Sequence, residues 1–195
     1  MSFSTYSSTV ALVLAGLLSQ GKFAPRLPTA PETFRAIVDA KAATGGAAGY
    51  LDIKLDKYTA DADHDAMVAT FKSGGQTALV AALRKAPAIG TLTLGKQSVT
   101  IRWAREKRTG PNGRTITLVG EKPLYYLGGG APDAKPREGF ELSVVKFNMD
   151  DAGVGQGQMA AAVKVKVGGE TGVDIEDYAD KPIMLTTIHR DFKSK

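Results

Sequence analysis

Apolar and polar residues alternate with a period of two along most of the chain, and the exception is a block between Asp61 and Pro87. Ahead of that block, Leu51, Ile53 and Leu55 alternate with Asp52, Lys54 and Asp56, the pattern of a half-buried strand over Tyr50–Tyr58. Thr33–Ala42 reads as the strand before it, joined through Thr44, Gly45 and Gly46. From Asp61 the spacing becomes helical. Met67, Val68 and Phe71 form the stripe of a first helix, with Asp61, Asp63 and Asp65 at its start, where the helix dipole favours anions. Ser73 reads as the N-cap of a second helix with the stripe Leu79, Ala82, Leu83 and Ala86, basic residues Arg84 and Lys85 in its last turn and Pro87 just beyond. Gly74 and Gly75 form the joint.

After Pro87 the pattern predicts strands and turns. Thr91–Leu94 pairs with Val99–Trp103 across Gly95, and that strand with Thr115–Val119 across Gly110, Pro111, Asn112 and Gly113. Leu124–Leu127, Phe140–Met149, Met159–Val167, Val173–Tyr178 and Ile183–Ile188 are further candidates. One hairpin is predicted to the residue. With a loop from Gly168 to Gly172, Val167 faces Val173, Lys166 faces Asp174, Val165 faces Ile175 and Lys164 faces Glu176, so that charges meet on one face and apolar residues on the other. The expected fold is mostly β (α+β): an antiparallel β-barrel or β-sandwich, with a two-helix segment at about 61–86 covering one end.

The N-terminal residues change where the domain begins. Val10–Leu18 is too short an apolar run to span a bilayer and, followed by Ser19 and Gly21, fits a signal peptide over residues 1–21. Proline-rich residues 22–33 read as an extended leader, and 34–195 as one β-rich domain that is periplasmic or secreted, with no stable membrane insertion after processing. The chain has no cysteine, so disulfides, thiolate nucleophiles and Cys-ligated metals are excluded. A net charge of +5 is mild and does not by itself call for an anionic partner.

Candidate chemistry is sparse. Asp61, Asp63 and Asp65 open like a calcium loop, but Ala66 and Lys72 occupy the places where Gly and Glu are needed, so no metal is expected. His64 and His189 are the only imidazoles. Arg102, Arg105, Lys107, Arg108 and Arg114 surround a hairpin, where alternation spreads them over both faces, and no nucleic-acid partner is expected. The turn-rich stretch from Gly128 to Gly139 offers Asp133, Lys135 and Arg137 to a ligand, and Trp103, Tyr125, Tyr126, Phe140 and Phe147 suit either a cavity lining or a core. Gly153, Gly155 and Gly157 lack phosphate-loop spacing and read as a turn; no cofactor is expected.

Leu127, Gly128, Gly129 and Gly130 followed by Asp133, Ala134, Lys135, Pro136 and Arg137, together with Ile175, Glu176, Asp177 and Tyr178, resemble a set of exported bacterial proteins of unassigned function. The resemblance covers mainly residues 89–188 and implies export and a shared fold, with no catalytic residue to transfer. The expected function is a non-enzymatic module that binds a small molecule or a surface partner, with Asp133, Lys135, Arg137, Trp103 and Tyr126 as the ligand-binding candidates. Two alternatives stand beside it: a hydrolase using His64 or His189 with Ser98 or Ser143, and a structural or inhibitory module.

Overall fold

The computed structural model describes residues 30–39, 49–125, 137–169 and 171–191. Nine strands and one helix follow in the order β1 (Glu32–Asp39), β2 (Gly49–Leu55), α1 (Asp61–Lys85), β3 (Gly90–Leu94), β4 (Gln97–Arg108), β5 (Gly113–Gly120), β6 (Leu142–Asp150), β7 (Val154–Val167), β8 (Val173–Tyr178) and β9 (Ile183–Arg190). Each of β1 to β7 pairs antiparallel with the next strand in sequence, and β9 pairs with both β7 and β1, which closes an eight-stranded barrel. Barrel, not sandwich, is therefore the architecture. Strand β8 lies outside the ring, on the part of β7 that runs past its pairing with β9.

The hairpin between β7 and β8 adopts the expected register at Val167 with Val173, Lys166 with Asp174, and Val165 with Ile175. It departs at the fourth pair: a bulge in β8 shifts Lys164 onto Asp177 in place of Glu176. Leu124 and Tyr125, read as strand, are irregular; the Leu124 side chain is buried in the core and its N–H donates to Ala161 O. Strand β1 begins at Glu32, within the stretch read as leader.

Alternation separates two apolar layers. Phe34, Ile53, Leu92, Ile116, Phe147 and Ile188 belong to a cluster drawn from all eight barrel strands, whose members are at most 5% exposed. An eight-stranded ring has an interior just wide enough for its own side chains, and this one is filled by them. The second layer lies on the opposite faces of β4 to β7, where Trp103, Val119, Val144 and Val163 meet Leu79, Val80 and Leu83 of the helix. The helix thus covers part of the barrel's outer wall and not its end.

One helix replaces the expected pair. The chain stays helical through Gly74 and kinks at Gly75, whose backbone (φ 64°, ψ −160°) is a conformation that only glycine adopts readily. Ser73, read as the cap of a new helix, donates its hydroxyl back to Thr70 O. Just past the kink, Gln76 accepts from Val165 N–H at 2.8 Å and donates to Gly139 O, tying the helix to β7 where β6 no longer reaches.

Gly155 and Gly157 lie within β7 and not in a turn. A Cβ at either position would collide with the β6 backbone, at Asn148 O and Lys146 O respectively. The glycines permit the close approach of the two strands.

Candidate functional site

The helix is held to the barrel wall at both ends by arginines of β4. Arg105 Nη1 donates to Asp61 Oδ1 at 2.6 Å and to Thr59 O at 3.1 Å, which fixes the first turn. Arg102 Nη1 donates to Ala86 O at 2.6 Å while its Nε donates to Glu121, so a cation meets the carbonyl end of the helix. Arg108 pairs with Asp151, and Arg114 turns into the barrel. The basic hairpin is therefore largely neutralised by carboxylates, and its arginines position structure.

Between those two straps Leu79, Val80 and Leu83 pack the helix on the wall, and a space is left beside this contact. An elbow cleft of about 290 Å3 opens beside the helix, lined by Ala66, Met67 and Thr70 from its first half, by Ala82 from its second, and by Ala86 and Ile89 beyond its end. Lys57, Asp63 and Arg102 supply its polar groups. The small alanine side chains make this space, because each leaves room that a leucine would fill. A more open groove of about 580 Å3 continues past Tyr58 towards Asp61, Arg105 and Glu106.

On the other flank of Met67 lies a narrow apolar crevice of about 10 Å3, lined by Phe71, Leu83, Trp103, Val119 and Val173, with Lys166 at its edge. Trp103 is 1% exposed. It faces outward because β4 carries an extra residue between Ile101 and Trp103, which turns Trp103 away from the lumen and leaves Ile101 and Ala104 within it. The His64 ring packs against it with centroids 5.7 Å apart. Among the described residues, Trp103 Nε1 and His64 Nδ1 are the buried side-chain polar atoms without a hydrogen-bond partner. Each such atom costs about 1–3 kcal/mol. Burial, and then the positive charge of Arg105, hold the His64 pKa below its ordinary value, so the ring is neutral at pH 7.

A third polar group sits inside one end of the barrel. Arg114 donates to both carboxylate oxygens of Glu32, at 2.7 and 3.1 Å, and to Glu106 at 2.5 Å. Arg190 Nε and Tyr58 OH complete the partners of Glu32, at 3.0 and 2.6 Å. Burial, with the charge and hydrogen bond of Glu32, raises the Tyr58 pKa well above its ordinary value. Burial works against the Arg114 charge, but the hydrogen bonds and charges of its partners outweigh it and keep the guanidinium ionised. Every charge here is answered by another, so the cluster closes the barrel end as a plug.

No family model, curated protein or solved structure matches this chain. The site must be weighed on its own geometry.

Of the ligand candidates drawn from sequence, Trp103 lines the crevice, and Arg137 lies over the Phe140 ring at 3.9 Å, away from it. Asp133, Lys135 and Tyr126 lie outside the described residues, as does most of their loop. The parts of a serine hydrolase are not brought together. Ser143 Oγ donates to Lys122 O, Ser98 Oγ lies against Leu92 O and Thr93 Oγ1, and exposed His189 sits opposite Arg35 and Val154 in the sheet. Among the described residues no three His, Asp or Glu side chains gather as a metal would need, and no helix is long and apolar enough to cross a membrane. Sequence reasoning missed Ala66, Ala82 and Ala86 as a cleft lining. The available signal was the run of small residues on both sides of the Gly74–Gly75 joint.

Proposed function

We propose that the protein is an exported, non-enzymatic binding module that holds a small, largely apolar molecule in the elbow cleft between α1 and the barrel wall. The observation that carries this reading is the cleft itself. At about 290 Å3 it is close to the size of small-molecule sites, its lining is mainly apolar, and a few polar groups stand at its rim. The filled lumen argues against a ligand in the barrel mouth, which moves the expected site to the outside of the wall. Export rests on the Val10–Leu18 run and the small residues after it.

The chain's single tryptophan lines the crevice on the other flank of Met67, within energy-transfer range of the cleft. Titration with N-phenyl-1-naphthylamine is expected to give energy transfer from Trp103 that saturates at one probe per chain. Ala66→Phe, a filling change at an exposed helix position, is expected to weaken binding by about tenfold or more with the urea midpoint unchanged. Absence of saturable binding, or equal binding by the variant, rules the cleft out.

One observation favours a second reading, as a module for a surface partner. Ile37 and Tyr50 face each other across β1 and β2 on the uncovered side of the barrel, at 38% and 60% exposure, and Met184 lies opposite Asp39 at 53%. Concentration-dependent sedimentation abolished by Tyr50→Lys would support self-association through that patch.

A further inference from the structure

We infer that the ligand of the elbow cleft carries two opposite charges on an apolar body, an anionic group that seats on Lys57 and a cationic group that seats on Asp63, as in a free apolar amino acid. This rests on the cleft reading and adds the chemical class of the ligand. Lys57, Tyr58, Thr59, Asp63, Thr70 and Arg102 are the polar side chains that line the cleft, and the protein already engages all but two of them. Tyr58 OH donates to Glu32 at 2.6 Å, Thr59 Oγ1 accepts from Ala104 N–H at 2.9 Å, and Thr70 Oγ1 donates to Ala66 O at 2.9 Å. Arg102 donates through Nε to Glu121 at 2.7 Å and through Nη1 to Ala86 O at 2.6 Å. Lys57 and Asp63 remain, both exposed and of opposite sign, and neither side chain has a hydrogen bond or ion pair to any described residue, the other included. The open groove beyond repeats the pattern on one side: Asp61 answers Arg105, Arg114 answers Glu106 and Lys54 answers Asp56, while Lys57, which lines this groove too, has no counter-charge.

The chemistry of this pair selects the ligand. An ammonium only donates and a carboxylate only accepts, so Lys57 calls for an acceptor and Asp63 for a donor. Hydrogen bonds with an ionised partner on each side are stronger than those to neutral groups, which favours a carboxylate over an alcohol on Lys57 and an amine over an amide on Asp63. A body that fills the cleft displaces water from both side chains. A head of one sign answers only one of them, and the other charge loses hydration with nothing in its place. A head carrying both signs answers both and adds no net charge to the site. Met67, Ala82 and Ile89 then take the hydrocarbon part.

Displacement of N-phenyl-1-naphthylamine from the full chain tests the assignment with four probes that share a phenyl body: phenylalanine with both charges, 3-phenylpropionate with the anion alone, 2-phenylethylamine with the cation alone, and 3-phenyl-1-propanol with neither. Phenylalanine is expected to bind at least about threefold more tightly than each of the others, by a margin that narrows as salt is raised. Lys57→Met is expected to bring phenylalanine level with 2-phenylethylamine, and Asp63→Asn to bring it level with 3-phenylpropionate; a general disturbance of the cleft would not split the probes in this way. Both positions are exposed, and an unchanged urea midpoint shows that each variant keeps the fold. No displacement by phenylalanine, equal binding of the four probes, tighter binding of any of the other three, or a preference that survives both variants overturns the two-charge assignment and leaves the cleft reading intact. If the naphthylamine itself does not bind saturably, both fall.

Discussion

Replacing Arg114 by methionine isolates what the plug at the barrel end contributes. The side chains of Arg114, Glu32 and Glu106 are 9%, 0% and 7% exposed, so water cannot take the guanidinium's place. Arg114→Met removes two contacts to Glu32 and one to Glu106. Charge-assisted bonds of this kind contribute about 1.5–3 kcal/mol each. Glu32 keeps Arg190 and Tyr58, so its loss is partial, whereas Glu106 is left with no hydrogen-bond or ion-pair partner among the described residues. The expected destabilisation is about 3–5 kcal/mol, the range for breaking a buried ion pair from one side. With a urea dependence of about 2 kcal/mol per molar, the midpoint falls by about 2 M, followed by Trp103 fluorescence. A companion variant, Arg114→Met with Glu32→Gln and Glu106→Gln, removes the buried charges together and is expected to recover more than half of the loss. A cost below about 1 kcal/mol for the single change, or a triple variant no better than the single one, would refute the account of the plug as a charge-matched unit.

His64 gives a dependence on pH. Its folded pKa lies below the unfolded value of about 6.5, so the unfolded chain binds more protons, and the stability present above pH 6.5 declines as pH falls through the folded pKa. Urea midpoints between pH 7.5 and 5 should fall less steeply in His64→Gln than in the parent, and identical slopes would remove His64 from the explanation. Gly75→Ala places a side chain on a backbone at φ 64° and is expected to cost about 1–3 kcal/mol in thermal melts; no cost would mean that the kink relaxes. Gly157→Ala puts a methyl group into the β6 backbone and is expected to lower stability by at least about 2 kcal/mol, which circular dichroism melts would measure.

Elements whose signals are local were legible in the sequence. The β7–β8 register at Lys166 and Val165 could be read because charge and apolar pattern agree within one hairpin. The helix was legible through the spacing of Leu79 and Leu83 and its basic last turn, while its continuity across Gly74 and Gly75 was not, since two glycines stand as well for a break as for a kink. Closure could not be read at all. It depends on β9 meeting β1, with Ile188 opposite Ala36, and no local pattern records which distant edges join. The bulge that re-aims Trp103 is equally silent, because strict alternation would place it beside Ile101 in the lumen. Arg114 and Glu32 are 82 positions apart, so their pairing lies beyond any spacing argument.

These long-range features decide where a ligand could sit. A ring of eight strands whose inward positions carry residues such as Phe34, Leu51 and Phe147 consumes its own interior, so a concave site must come from a second layer. Among the described residues that layer is the helix between β2 and β3, strapped at Asp61 and Ala86 by Arg105 and Arg102 of β4, 44 and 16 positions away in sequence. Leu79, Val80 and Leu83 pack the helix on the wall, and the alanines at 66, 82 and 86 leave a cleft beside that stripe. Trp103 is already 1% exposed beneath Leu79, Leu83 and Phe71, so a helix that served only to cover it would have no need of alanines at 66, 82 and 86. Their small size is what makes the cleft, and filling it tests whether the space or the cover was the purpose of the helix.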